Sequence, residues 1–209
     1  MLFVKNALEK GTLRGTDWPQ LDPRKKLIVV TAHRRENFGA GIENICTALA
    51  QLARRENVQL VYPVHSNPHV MGTVTARLGG LNNVFLLPPL DYVSFVDLML
   101  RAYFVISDSG GVQEEAPSLG KPILIMRDKT ERPEAIAATT AKLVGTDPMT
   151  IVREAGILLD DETEYARRAR VHNLYGDGAS SGRMTDAIHS FFEARRRGNN
   201  VGSIARRIA

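Results

Sequence analysis

Apolar residues recur along the chain in two alternating rhythms. Short unbroken runs, such as Leu27, Ile28, Val29 and Val30, have the pattern of strands buried on both faces, whereas Ile42, Ile45, Cys46, Leu49, Leu52 and Ala53 return at the spacing of one helix face. The alternation predicts strands at 26–31, 58–64, 84–87, 104–107 and 122–126, with a sixth at 143–145. Helices are expected over 42–53, 68–78 and 92–102, from the Gly110-Gly111 pair to 119, and after the sheet at 149–159, 162–170 and 181–197. Pro68 suits a first helical turn, and Gly79-Gly80 stops that helix. Strands alternating with helices build βαβ units, so the fold class is α/β: a three-layer arrangement around a parallel sheet.

At 209 residues the chain is one large domain or two small ones, against a usual ~100–200 residues per domain. With 44% hydrophobic and 24% charged residues it has the composition of a globular protein, which excludes disorder as its main state. The formal charge of +4 hints at a basic surface, but Arg195, Arg196, Arg197, Arg206 and Arg207 crowd the C-terminus; the rest carries 22 bases against 23 acids. Nucleic-acid binding is therefore not expected. Cys46 is the single cysteine, and no Cys/His ligand spacing occurs, so no structural zinc or other metal is expected. The apolar runs fall far short of the ~18 residues of a membrane span, and no signal-peptide pattern opens the chain; a soluble cytoplasmic protein is expected.

Open parallel sheets bind ligands beyond the carboxyl ends of their strands. Polar clusters follow the predicted strands at His33-Arg34-Arg35-Glu36-Asn37, at His65-Ser66-Asn67-Pro68 and at Asp108-Ser109-Gly110-Gly111, which places all three on one rim. Between a strand and a helix, Ser109-Gly110-Gly111 offers free backbone N–H groups to an anion, although an ordinary N-cap with a tight turn explains the tripeptide as well. Glu115, one turn further in, suits a ribose diol better than a phosphate, or simply complements the helix dipole. His33 is a candidate diphosphate donor or proton carrier, or a bland surface histidine. Arg34 and Arg35 cannot both reach one ligand from a loop, so one is expected to pair with an acid such as Glu36. The charged run 128–134 follows the fifth strand, and its Arg132 suits either a phosphate or a neighbouring carboxylate.

Five segments together carry a family resemblance: VTAHRRENFG (30–39), YPVHSNP (62–68), SDSGGVQEEAPSLGKPILIMRDKTERPEA (107–135), LVGTD (143–147) and YGDGAS (175–180). They resemble the C-terminal half of the non-hydrolysing UDP-N-acetylglucosamine 2-epimerases. That resemblance implies a Rossmann-like domain, the second of two in a GT-B arrangement with UDP-sugar in the cleft between them, and here the first domain has no counterpart. It implies a hinge-side helix and linker over 1–25, a UDP-binding domain with C-terminal helices over 26–197, and a basic tail over 198–209. It further implies that Ser109, Gly110 and Gly111 hold the UDP phosphates, Glu115 the ribose and Phe95 the uracil. His33 would lie at the diphosphate beside the reacting sugar, with Arg132 also in the cleft. Arg34 and His65 resemble residues that contact a second, activating UDP-GlcNAc. No cofactor is implied.

The expected activity is interconversion of UDP-GlcNAc and UDP-ManNAc by elimination and re-addition of UDP, in service of cell-surface polysaccharide synthesis. The proton-moving carboxylates would belong to the missing half, so the chain by itself is expected to be inactive, with a separate N-terminal half and a homodimer as possible partners. Two other expectations stay open: a non-catalytic UDP-sugar binding module, and the donor domain of a GT-B glycosyltransferase.

Overall fold

The computed structural model describes residues 1–18, 20–170 and 174–196. The expected basic tail, 198–209, lies outside the described residues, as does Arg197 at the end of the last expected helix. The chain groups into two compact units, Met1–Leu174 and Tyr175–Ala209.

The first unit holds a parallel sheet of β1 (Lys26–Thr31), β2 (Val58–Pro63), β3 (Val84–Leu87), β4 (Phe104–Ser107), β5 (Ile123–Ile125) and β6 (Ala141–Leu143). Spatially the strands run β3-β2-β1-β4-β5-β6. The chain starts at the middle of the sheet, works outward to β3, then crosses back to place β4 on the other side of β1. The connections after β1 and β4 leave in opposite directions, and such a switch point opens a crevice at the strand ends. There the register pairs Thr31 with Ser107, and their hydroxyls share a 2.7 Å hydrogen bond.

Because successive side chains point to opposite faces, Ile28 and Val30 of β1 join Leu60, Phe104, Ile106 and Leu124 in one core layer. Helices α2 (Ala40–Leu52), α3 (Pro68–Leu78) and α7 (Pro148–Asp160) cover it with Ile42, Leu49, Val74 and Ile151. On the opposite face α4 (Tyr92–Arg101) packs on β1, and α5 (Gly110–Ser118) packs on β4 and β5. Asp91 and Asn67 cap α4 and α3 by accepting backbone N–H groups from Ser94 and His69.

The segment after α1 (Leu2–Glu9) is clamped onto α4: Trp18 Nε1 donates to the buried Asp97 carboxylate at 2.8 Å, and Thr16 donates to Ser94 at 2.7 Å. Gly15 permits this approach, since a Cβ there would lie 2.6 Å from Asp97. The short α6 (Pro133–Ala137) and α8 (Glu162–Arg168) complete the first unit. In the second unit α9 spans Ser180–Arg196, and Asp177 pairs with Arg183 at 2.7 Å.

One predicted strand is displaced. The expected 143–145 strand is β6, Ala141–Leu143, because it is an edge strand whose central Lys142 faces solvent and interrupts the apolar run. Gly145, expected inside the strand, adopts φ 60°, a left-handed turn that ends it. The sequence pattern also does not show α6 or the 3-10 turn at Arg35–Asn37, each too short for a helical period to register.

Candidate functional site

The crevice is organised by a carboxylate. Asp108 follows β4 and is fully buried, and it accepts the backbone N–H groups of His33 and Arg34 at 3.0 and 2.9 Å and the Asn37 side-chain amide at 3.0 Å. The loop after β1 is thereby tied to the loop after β4. His33 Nδ1 lies 3.5 Å from Asp108 Oδ1, while Tyr62 secures the start of the loop by donating to the Ala32 carbonyl at 2.9 Å.

Ser109 is the N-cap of α5, in extended backbone geometry, yet its hydroxyl makes no capping hydrogen bond. Its own N–H donates to Ser107 Oγ at 3.0 Å, so the turn is set by the preceding serine and the Ser109 hydroxyl remains available to the crevice. At Gly110 two guanidinium groups converge: a Cβ there would lie 3.5 Å from Arg34 Nη2 and 3.9 Å from Arg132 Cζ. Around Gly111 the space is open. Arg132 is steered by Glu114, which accepts from its Nε at 2.7 Å, and by Thr130, whose hydroxyl accepts its backbone N–H at 3.0 Å. A helix N-terminus with guanidinium groups beside it has the chemistry to receive an anion.

Next to it lies a cavity of about 210 Å³ whose walls include His33, His65, Phe95, Ser109, Leu90 and Val112. The two imidazoles stack at 5.6 Å with 14° between their planes. Glu115 lies on a different side of α5 from Glu114, and it accepts the Tyr92 hydroxyl at 2.5 Å. Partial desolvation of an otherwise exposed ring, together with the hydrogen bond to this carboxylate, shifts the Tyr92 phenol upward.

The structure thus gathers His33, His65, Phe95 and Ser109 around one cavity, and brings Arg34 and Arg132 to Gly110 at its edge. Glu115 stands on the next turn of α5, toward α4. Arg34 and His65, which the resemblance assigns to a second ligand, are not set apart from the other residues.

One expected pairing is corrected. Glu36 bonds neither Arg34 nor Arg35 but accepts from the buried Arg127, at 3.1 Å; Arg127 also donates two 2.8 Å bonds to Glu131, which hold the Glu131 carboxyl down at about 2. Arg127 wins because it sits at the end of β5 with its side chain largely enclosed, where a guanidinium requires carboxylate partners. Sequence reasoning placed Asp108 on the rim without giving it a role, and passed over Tyr92. Each left a signal: an acid directly after a strand of apolar residues, and an aromatic three positions before Phe95 on the same helix face.

Among the described residues no group of three or more His, Cys, Asp or Glu side chains could hold a metal ion, and no helix is long and apolar enough to cross a membrane.

A family model described as UDP-N-acetylglucosamine 2-epimerase matches residues 2–189. UDP-N-acetylglucosamine 2-epimerases of Salmonella typhimurium and Escherichia coli K12 are 55% and 54% identical over 91% and 90% of this chain. The chain spans about half the length of these relatives, 52% and 51%. Among solved structures, S. aureus MnaA with UDP superposes with a TM-score of 0.81 at 40% identity, over 85% of this chain and 50% of that one. The Neisseria meningitidis UDP-GlcNAc 2-epimerase bound to UDP-GlcNAc gives 0.80 at 39% identity, over 91% and 50%. With the parallel sheet and these matches in agreement, the chain belongs to the UDP-N-acetylglucosamine 2-epimerase family.

Proposed function

We propose that this chain supplies the UDP-binding half of a cytoplasmic UDP-GlcNAc 2-epimerase, which interconverts UDP-GlcNAc and UDP-ManNAc by elimination and re-addition of UDP. The observation that carries the proposal is the N-terminus of α5 at Gly110 with the Arg132 guanidinium beside it. Breaking the sugar C1–O bond places negative charge on the departing diphosphate, and donors already fixed there stabilise that charge without reorganising. Ser109, Gly110 and Gly111 hold the phosphates, with Arg132 beside them and His33 facing the reacting sugar. Glu115 takes the ribose hydroxyls and Phe95 lies against uracil. Arg34 and His65 contact a second UDP-GlcNAc where it abuts the first.

Abstraction of the sugar C2 proton is assigned to carboxylates of the half that precedes this domain in the full-length relatives, and the complete enzyme is proposed to be a homodimer. Proton NMR of UDP-GlcNAc in D₂O with the purified chain tests the division of labour. Broadened ligand signals without H2 exchange are expected, and epimer is expected only after a matching N-terminal half is added. Exchange at H2 with this chain alone would place the proton-transfer groups within its 209 residues and refute the split. Failure of UDP to bind at all would remove the nucleotide assignment itself.

A further inference from the structure

Asp108 is the most enclosed charged group of the crevice, and none of the ligand contacts assigned above uses it. Three N–H donors already converge on its carboxylate, from His33, Arg34 and Asn37, and the His33 Nδ1 lies 3.5 Å from it. The contact is too long to be a hydrogen bond, but a carboxylate repels a lone pair on the nearby Nδ1 and attracts a proton there, which favours the Nδ1–H form. With Nδ1 toward Asp108, Nε2 is the ring nitrogen left to serve the cavity that His33 lines with Ser109.

We propose that Asp108 is a positioning residue, which selects the Nδ1–H form of His33 and aims Nε2 at the diphosphate. Its importance to ligand binding rests on the nucleotide assignment made above; its effect on the His33 ring does not. The neutral ring offers Nε2 as an acceptor. The protonated ring keeps Nδ1–H on Asp108 and presents Nε2–H to a phosphate oxygen.

The neighbouring imidazole provides an internal contrast. His65 Nδ1 accepts the Asn67 backbone N–H at 3.1 Å, so neutral His65 carries its proton on Nε2. Two histidines stacked 5.6 Å apart are therefore expected to hold opposite tautomers. The groups facing His33 are Asp108 from the loop after β4, His65 from the loop after β2, and Arg34 beside it in sequence.

Long-range proton–nitrogen NMR of the ¹⁵N-labelled chain at alkaline pH, with each ring assigned by its loss in His33→Gln and His65→Gln, tests this without any ligand. Nδ1–H on His33 together with Nε2–H on His65 is expected. An Nε2–H tautomer on His33 would overturn the proposal whether or not UDP binds.

Calorimetry with UDP and uridine then tests the consequence. Asp108→Asn and His33→Ala should each weaken UDP by about tenfold while sparing uridine, as expected for a lost contact to a charged group, and the double variant should lose little more than either alone. Multiplying losses, or an equal loss for uridine, would show that Asp108 does not act through His33. If Asp108→Asn fails to fold, the tautomer of the unmodified chain decides. If UDP does not bind while the tautomers are as expected, the nucleotide assignment fails and the Asp108–His33 relation stands.

Discussion

The two ends of the crevice are built differently. At the charged end most charged groups are held by others: Arg132 pairs with Glu114, Arg127 with Glu36 and Glu131, and the Asp108 carboxylate accepts the backbone N–H groups of His33 and Arg34. Around Phe95 the surroundings are largely apolar, with Leu90 and Val112 in the same wall, and the polar anchor is the single bond from Tyr92 to Glu115. A diphosphate brings concentrated charge, which is bound well only by donors whose positions are already settled; a planar base needs a flat apolar wall and a diol needs one acceptor.

The contrast is broken most sharply by Arg132→Met, which removes a guanidinium from the charged end. UDP affinity should fall by up to about a hundredfold, the upper range for a contact between charged groups, with uridine unchanged. A loss shared by uridine, read by calorimetry, would mean that the two ends are not separable.

Glu115→Ala should weaken UDP and uridine alike, by about tenfold, whereas Ser109→Ala should weaken UDP more than uridine. Equal losses for both ligands in both variants would erase the division between the ends. Tyr92→Phe removes a neutral donor from Glu115, so a severalfold loss for both ligands is expected. An unchanged uridine affinity would show that Glu115 needs no help from α4 to stay in place.

The smallest effect concerns the web itself. Glu131 has its carboxyl lowered from 4.5 to about 2, mainly by the hydrogen bonds from Arg127, so folding is favoured by this pair above pH 4.5 and loses that contribution as pH falls toward 2. Glu131→Gln should therefore lower the thermal midpoint slightly at neutral pH, with the difference from the parent shrinking to nothing near pH 2. A constant difference across that window would assign the stabilisation to something other than ionised Glu131.

Much of this architecture was legible in the amino-acid order. The runs at Lys26–Thr31, Val84–Leu87 and Phe104–Ser107 are strands with the predicted bounds, and α3 starts at Pro68 and stops before Gly79. These features depend on neighbours a few residues apart: apolar periodicity, proline at a first turn, glycine after a last one. The edge strand was misplaced by two residues because a solvent-facing lysine breaks the apolar run on which such a prediction rests. The strand-end clusters holding His33, His65 and Ser109 were legible for the same local reason, since each follows a recognisable strand.

The partners within the site were decided only by the tertiary structure. Asp108 meets His33 across 75 residues, Glu36 meets Arg127 across 91, and Tyr92 meets Glu115 across 23. No periodicity links such positions. They come together because β4 crosses back to lie beside β1, which puts two loops from distant parts of the chain at one crevice, and because buried charges then take whichever opposite charge or N–H that packing brings within reach. Local preferences set which segments are strands and helices; the order in which strands pair, a property of the whole core, set which side chains could meet.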